Sequence, residues 1–223
     1  MRPNQLVYPF ESEEEKSIKI EDRVLYFPAP NENMTKFCFH DLEYFGNENP
    51  IYVEYCSGNG GWIAEKAIQD KNINWIGVEI KFKRIKKIWA KIKNYSLNNL
   101  IALYGEAEKS TQFLFEEASV SKAYINFPDP WPKKRHAKNR LMQENFIKEL
   151  YRILKPAGSF TFVTDDEAYS DQTIELSLAH GGFKSIYEKP FYLSNPEDYG
   201  ASFFDSLWRE KGKTIRLHTF QKI

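Results

Sequence analysis

Asp129 lies within Asn126-Phe127-Pro128-Asp129-Pro130-Trp131-Pro132-Lys133-Lys134-Arg135-His136, a run that places one carboxylate and a basic cluster among three prolines. Four other acids, Glu54, Glu79, Glu106 and Asp165, stand at comparable points, each just past an apolar stretch. Isolated carboxylates of this kind suit hydroxyl binding and stabilisation of positive charge. No His–acid dyad and no activated cysteine accompanies them, so the pattern does not read as nucleophilic or proton-relay chemistry. Each proline fixes its own φ, removes an N–H donor and biases the preceding residue away from the α region, so the run is expected to be a stiff loop. A proline-stiffened surface connection is the plainer reading of the same residues.

The acids need elements to hold them. From Ile51 onward strand and helix patterns alternate: strands at Ile51 to Cys56, Asn74 to Ile80, Leu100 to Tyr104, Lys122 to Phe127 and Phe160 to Thr164. Helices are expected from Trp62 to Gln69, Lys81 to Lys93, Thr111 to Ala118, Leu141 to Leu154 and Tyr169 to Ala179. In the second helix Phe82, Ile85, Trp89 and Ile92 recur at three- and four-residue steps. Lys184 to Glu188 and Thr214 to Gln221 supply two late strands around a short helix at Phe203 to Glu210. The pattern predicts an α/β fold, a mainly parallel seven-stranded sheet with helices on both faces. Right-handed crossovers then bring the strand–helix loops, and the five acids, to one edge. Acids also cap helices at exposed strand ends, so their recurrence has a structural explanation too.

Residues 1–49 read as an N-terminal extension, with short strands at Lys16 to Ile20 and Arg23 to Phe27, before a domain spanning 50–223. Lys and Arg number 31, as do Asp and Glu, so the total charge does not mark a polyanion binder. Distribution is more informative. Lys81 to Lys93 holds seven basic residues and no acid, and the stiff loop adds Lys133, Lys134, Arg135, Lys138 and Arg140. The Lys81 to Lys93 cations read either as an extended basic surface or as an ordinary solvated helix face. No stretch approaches the ~20 apolar residues of a membrane span, and the N-terminus lacks a signal pattern. A cytoplasmic protein, no membrane partner and no metal are expected, because the two cysteines and four histidines have no ligand spacing. Monomer and homodimer remain open.

Glu54-Tyr55-Cys56-Ser57-Gly58-Asn59-Gly60 is a glycine turn between strand and helix, where a ligand can approach the backbone closely. A dinucleotide site predicts G-x-G-x-x-G, a spacing that glycines 58, 60 and 61 miss. Glu79, roughly twenty residues on, suits a ribose diol. With an acid already in the first strand and no basic pair for a pyrophosphate, a ligand with an adenosine and a positive end, such as S-adenosylmethionine, fits better.

Asp129-Pro130-Trp131-Pro132-Lys133-Lys134-Arg135-His136, with Glu54 and Glu79 upstream and Thr164-Asp165 downstream, resembles the bacterial tRNA (guanine-N7-)-methyltransferases. The resemblance covers about residues 52–212. It implies a Rossmann-like class I methyltransferase fold and S-adenosylmethionine as cofactor. The implied substrate is tRNA, methylated at N7 of guanosine 46 in the variable loop. It also implies cofactor contacts at Glu54, Gly58, Gly60, Glu79, Glu106 and Asp129, a catalytic role for Asp129, and substrate contacts at Lys133, Asp165, Ser202 and Asp205. The chain departs from the family pattern in three places: Cys56 replaces the first glycine of E-x-G-x-G-x-G, Ser202-Phe203-Phe204-Asp205 replaces Thr-x-x-Glu, and Glu106 stands where the family often has Asp or Asn.

Guanine N7 has a lone pair and no proton, so attack on a sulfonium methyl requires no general base. The site instead needs in-line placement and a negative field, from Asp129 first and Asp165 second. The loop cations, Arg140 among them, are expected at phosphates. Trp131 is either a base platform or a loop anchor, whereas Phe203, Phe204, Leu207 and Trp208 read as helix packing. Two other functions fit the same residues: methylation of an amino group, since Asn126-Phe127-Pro128 and Asp129-Pro130-Trp131 resemble an [ND]-P-P-[FYW] loop, and RNA binding without catalysis.

Overall fold

The computed structural model describes residues 18–27, 36–41, 43–200 and 203–223, and the chain forms two compact units, Met1–Glu116 and Glu117–Ile223. In the first unit the strands are β1 (Lys19–Glu21), β2 (Val24–Tyr26), β3 (Ile51–Tyr55), β4 (Asn74–Glu79) and β5 (Leu100–Tyr104). They lie in the order β1-β2-β5-β4-β3. β1 and β2 pair antiparallel, and the remaining pairs are parallel. Every residue of β4 is buried, as a strand covered on both faces requires. Its helices are α1 (Gly61–Gln69), α2 (Phe82–Tyr95) and α3 (Ala107–Leu114). α2 turns Phe82, Ile85, Ile88, Trp89 and Ile92 inward. Each such side chain contributes on the order of 1.5–3 kcal/mol by leaving water. Trp89 also donates its indole N–H to the Asp22 carbonyl at 2.9 Å.

The second unit holds β6 (Val120–Asn126), β7 (Leu154–Thr164), β8 (Phe183–Ser185), β9 (Leu193–Ser194) and β10 (Arg216–Lys222). β6 and β7 are parallel, while β10 is antiparallel to β7, β8 and β9. Its helices are α4 (Glu144–Ile153), α5 (Glu167–Ala179) and α6 (Phe203–Glu210).

The expected alternation of strands and helices is present, and the differences lie at element ends and in the strand count. The described residues form ten strands where a sheet of seven was expected, and β9 had no counterpart in the sequence pattern because its two residues are too short a run to show a period. α3 begins at Ala107, four residues before the expected Thr111, because Glu106 is extended and the Ser110 N–H already closes onto its carbonyl at 2.8 Å. α4 starts at Glu144, three residues after the expected Leu141, because Gln143 is extended and its carbonyl takes the first helical bond, from the Ile147 N–H at 3.0 Å. Lys155-Pro156-Ala157-Gly158 ends α4 as expected. It also forms an excursion within β7: Val120 faces Leu154, but Lys122 faces Ser159. Ala157 turns it at φ 59.

β10 also carries a buried histidine. His218 is fully enclosed, with Nδ1 3.1 Å from the Phe191 carbonyl and Nε2 3.1 Å from Ser170 Oγ. A carbonyl can only accept, so Nδ1 carries the proton and Nε2 receives the serine O–H. Burial lowers the imidazole pKa to about 4, helped by nearby Arg216 and opposed by the Phe191 hydrogen bond. The unfolded chain therefore binds a proton below about pH 6.5 that the folded chain refuses until about pH 4, and stability is lost as pH falls through that window. His218 should account for about 2 kcal/mol of the decline between pH 7 and 5. Urea unfolding of His218→Gln at the two pH values should show a decline smaller by that amount; an equal decline in both proteins would contradict it.

Candidate functional site

In the first unit the parallel strands β5, β4 and β3 are neighbours, so Glu54, Glu79 and Glu106 gather at their C-terminal ends. Glu54 and Glu79 are buried, whereas the Glu106 carboxylate is half-exposed and pairs with Lys109 at 2.9 Å. Glu79 is tightly engaged. One oxygen accepts the Gly58 N–H and the other the Lys81 N–H, both at 2.9 Å, with the Arg84 guanidinium 3.5 Å away. Its carboxylate thus joins the end of β4, the glycine turn and the start of α2, and leaves lone pairs for a diol. Ile80, next to it, is 56% exposed, an apolar side chain left at a strand end. Sequence reasoning missed Ile80, because an apolar residue ending an apolar strand gives no separate signal.

The turn itself is built from left-handed residues, with φ 58 at Cys56, 56 at Gly58 and 69 at Gly60. Gly60 is needed for space as well, since a Cβ there would lie 2.7 Å from Ile88 Cγ1 in α2. Cys56 occupies a conformation that favours glycine, which costs about 1–2 kcal/mol. Ser57 fastens the turn by donating its hydroxyl to the Glu54 carbonyl at 2.8 Å. Two buried carboxylates, a glycine turn without side chains at 58, 60 and 61, and an exposed apolar side chain are a set that fits a cationic adenosine ligand.

Several α2 cations are engaged within this unit, Lys86 over the Phe82 ring at 5.2 Å among them. Arg84 faces Glu79, Lys93 pairs with Asp22 at 2.6 Å, and Lys91 donates to the Asn59 carbonyl at 2.9 Å. Burial, and then Lys87, lowers the Lys91 pKa.

In the second unit Asn126 pairs with Val163 in register, so the loops after β6 and β7 leave from adjacent parallel strands. Phe127 and Trp131, each followed by proline, take φ 48 and 43. Bulky residues in this region are strained by roughly 1–3 kcal/mol each, a cost that surrounding contacts must offset. Phe127 is packed against Val163, Ile215 and Leu217, and Asn126 Oδ1 accepts the Tyr199 O–H at 2.6 Å. Asp129 is exposed and accepts the Trp131 N–H at 3.2 Å; among the described residues it forms no ion pair. Trp131 is half-buried and meets His136 edge-on at 5.9 Å, so it is neither an enclosed anchor nor an open platform. Lys133, Arg135 and Lys138 are exposed.

Arg140 corrects an expectation. Only 7% of it is exposed, and Nε donates to the Pro130 carbonyl at 2.8 Å, so it cannot reach a phosphate in this arrangement. Asp165 pairs with Lys213 at 2.5 Å. Asp205 is buried and accepts from Arg209 Nε at 2.7 Å. Ser202 lies outside the described residues. On α6, Phe204 and Trp208 are packed as expected, but Phe203 is 67% exposed because it faces away from that cluster. Among the described residues no cluster of His, Cys, Asp or Glu could hold a metal ion, and no helix is long and apolar enough to cross a membrane.

Solved structures share the fold. One titled as an antibiotic-related methyltransferase superposes with TM-score 0.59 at 19% identity, over 79% of this chain and 90% of that one. Geranyl diphosphate C-methyltransferase from Streptomyces coelicolor, in complex with S-adenosyl-L-homocysteine, reaches 0.55 at 11% identity, over 78% and 74%. The fold and site define a Rossmann-like class I methyltransferase, the class whose methyl donor is S-adenosylmethionine. A family model described as "Putative methyltransferase" matches residues 48–217. The tRNA (guanine-N(7)-)-methyltransferase of Chlamydia muridarum is 40% identical over 223 residues, covering all of this chain and 98% of its own. That of Macrococcus caseolyticus is 36% identical over 79% of this chain and 83% of its own. The chain belongs to the tRNA (guanine-N(7)-)-methyltransferase family.

The glycine turn gives a direct test. Cys56→Gly should leave stability within about 1 kcal/mol, because relief of left-handed strain is offset by a more flexible unfolded chain. Gly60→Ala should cost roughly 2 kcal/mol or more and weaken cofactor binding, since its methyl meets Ile88. Thermal unfolding and cofactor titration of both variants measure this; an unaffected Gly60→Ala would show that the turn tolerates a Cβ.

Proposed function

We propose that this protein transfers the methyl group of S-adenosylmethionine to N7 of guanosine 46 in the variable loop of tRNA. The observation that carries this reading is the loop after β6. It presents Asp129 exposed and without an ion-pair partner among the described residues, on a proline-locked run followed by exposed cations. The names of the relatives support the reaction, and the D-P-W-P-K-K-R-H run supports the tRNA substrate.

The cofactor supplies a methyl group on a positively charged sulfur. Glu79 is proposed to accept the ribose hydroxyls, Ile80 to meet the purine, the amides around Gly58 and Gly60 to allow close approach, and Glu54 and Glu106 to complete that side. Asp129 contributes the negative field: as the N7 lone pair forms the new N–C bond and the C–S bond breaks, positive charge moves onto the purine, and a fixed carboxylate lowers the barrier. No residue has to remove a proton. Asp165 and Asp205, each already paired with a cation, are proposed as hydrogen-bond acceptors for the substrate, together with Ser202. Lys133, with Arg135 and Lys138, meets the phosphates.

The amino-group alternative requires loop acceptors for the N–H bonds of the target. Here the Pro130 carbonyl is occupied by Arg140 and Asn126 Oδ1 by Tyr199, which weighs against it.

Incubation with labelled cofactor and unmodified tRNA should give product, whereas tRNA carrying 7-deazaguanosine at position 46 should give none; undiminished labelling would refute N7 as the target. Asp129→Ala should lose turnover by at least ~100-fold with tRNA affinity retained. Lys133→Ala should weaken tRNA binding and reduce the slope of log K against log salt by about 0.7–0.9, the contribution of one phosphate contact; an unchanged slope would remove Lys133 from the phosphate contacts.

A further inference from the structure

Prolines at 128, 130 and 132 remove three N–H donors from the Asp129 loop, whose Trp131 N–H turns onto the Asp129 carboxylate at 3.2 Å. Arg140, from a buried position, supplies an outside donor to the Pro130 carbonyl of this loop. Besides its bond to the Pro130 carbonyl, its guanidinium donates from one terminal nitrogen to the Ala168 carbonyl at 3.2 Å and to Gln172 Oε1 at 2.8 Å. The other terminal nitrogen lies 3.7 Å from Asp166 Oδ1, and Cζ sits 4.9 Å from the centre of the Tyr169 ring. Pro130 directly follows Asp129, and Asp166 directly follows Asp165. One planar cation therefore bridges the two loops that carry the two acids.

The bridge is itself braced. Asp166 caps α5 by accepting the Tyr169 N–H at 2.8 Å. The Tyr169 hydroxyl accepts the Met142 N–H, and Gln172 returns its amide to the Met142 carbonyl, both at 3.0 Å. A lysine could not reproduce this, because its ammonium is a point charge without the planar fork that serves several acceptors at fixed angles.

We propose that Arg140 is a positioning residue that fixes the spacing of the Asp129 and Asp165 loops and thereby holds the target base in line with the methyl group. The inference rests on the proposed methyl transfer and assigns Arg140 no contact with substrate.

The test compares Arg140→Lys, Arg140→Gln, Gln172→Leu and Asp129→Ala in single-turnover methylation of tRNA, with tRNA affinity measured across a salt series and folding followed by thermal unfolding. Arg140→Lys and Arg140→Gln should both slow methyl transfer about 10- to 100-fold. Cofactor affinity, tRNA affinity and salt slope should stay at wild-type values, and Gln172→Leu should show a smaller loss of the same kind. Lysine should fail to rescue, because the fork matters and not the charge. A wild-type rate in Arg140→Lys, or a salt slope reduced by about 0.7–0.9 as for a lost phosphate contact, would overturn the proposal. If Arg140 variants do not fold, Gln172→Leu decides, and a wild-type rate there overturns it. Full activity in Asp129→Ala would refute the underlying methyl-transfer reading of this loop. Loss of activity in that variant, with wild-type rates in Arg140→Lys and Gln172→Leu, would overturn this inference alone.

Discussion

A carboxylate can be buried only where hydrogen-bond donors are arranged around it, and Glu79 organises the first unit on those terms. Its two oxygens take N–H groups from the glycine turn and from the start of α2, so one side chain sets the relation of β4 to both connections beside it. The turn then has little freedom. Gly60 lies against Ile88, Ser57 is tied to Glu54, and Cys56 must accept a left-handed conformation to keep the path. A ligand that reaches this turn meets a backbone already fixed and an acid already in place.

The second unit meets the opposite difficulty. The prolines that stiffen the Asp129 loop also remove three of its N–H donors, and the Trp131 N–H is spent on Asp129 itself, so stiffness within the loop does not fix where the loop stands. Packing of Phe127 against Val163, Ile215 and Leu217 anchors its beginning, and a buried guanidinium holds its middle. Asp129 can then remain exposed without being loose. An exposed, fixed carboxylate suits a reaction in which positive charge appears on the acceptor and no proton leaves it.

Much of this was legible in the sequence because period and punctuation are local. Alternation of apolar runs with glycine, proline and asparagine breaks located every α-helix and every strand but the two-residue β9, and the acids at strand ends followed from that. Element ends were less legible. α3 starts earlier than its apolar residues suggest, and the Lys155 to Gly158 excursion is absorbed into β7, since both depend on what the neighbouring chain offers for hydrogen bonding. Arg140 and Phe203 were misread for a related reason. An arginine in a basic run looks like its neighbours, and a phenylalanine beside Phe204 and Trp208 looks like packing, until the direction of each side chain is known.

The sequence by itself determined the α/β class, the glycine turn, the stiff acidic loop and, through the run from Asp129 to His136, the family. Those properties are written in residue type and spacing, which persist without the fold. Only the tertiary structure decided which charges are spent and which remain. Glu79 is latched to the turn, Asp165 is paired with Lys213, Arg140 is buried as a brace, and Asp129 stays open to solvent. The partners that make those differences lie from two to nearly fifty residues away along the chain, and only folding brings the distant ones within hydrogen-bonding distance.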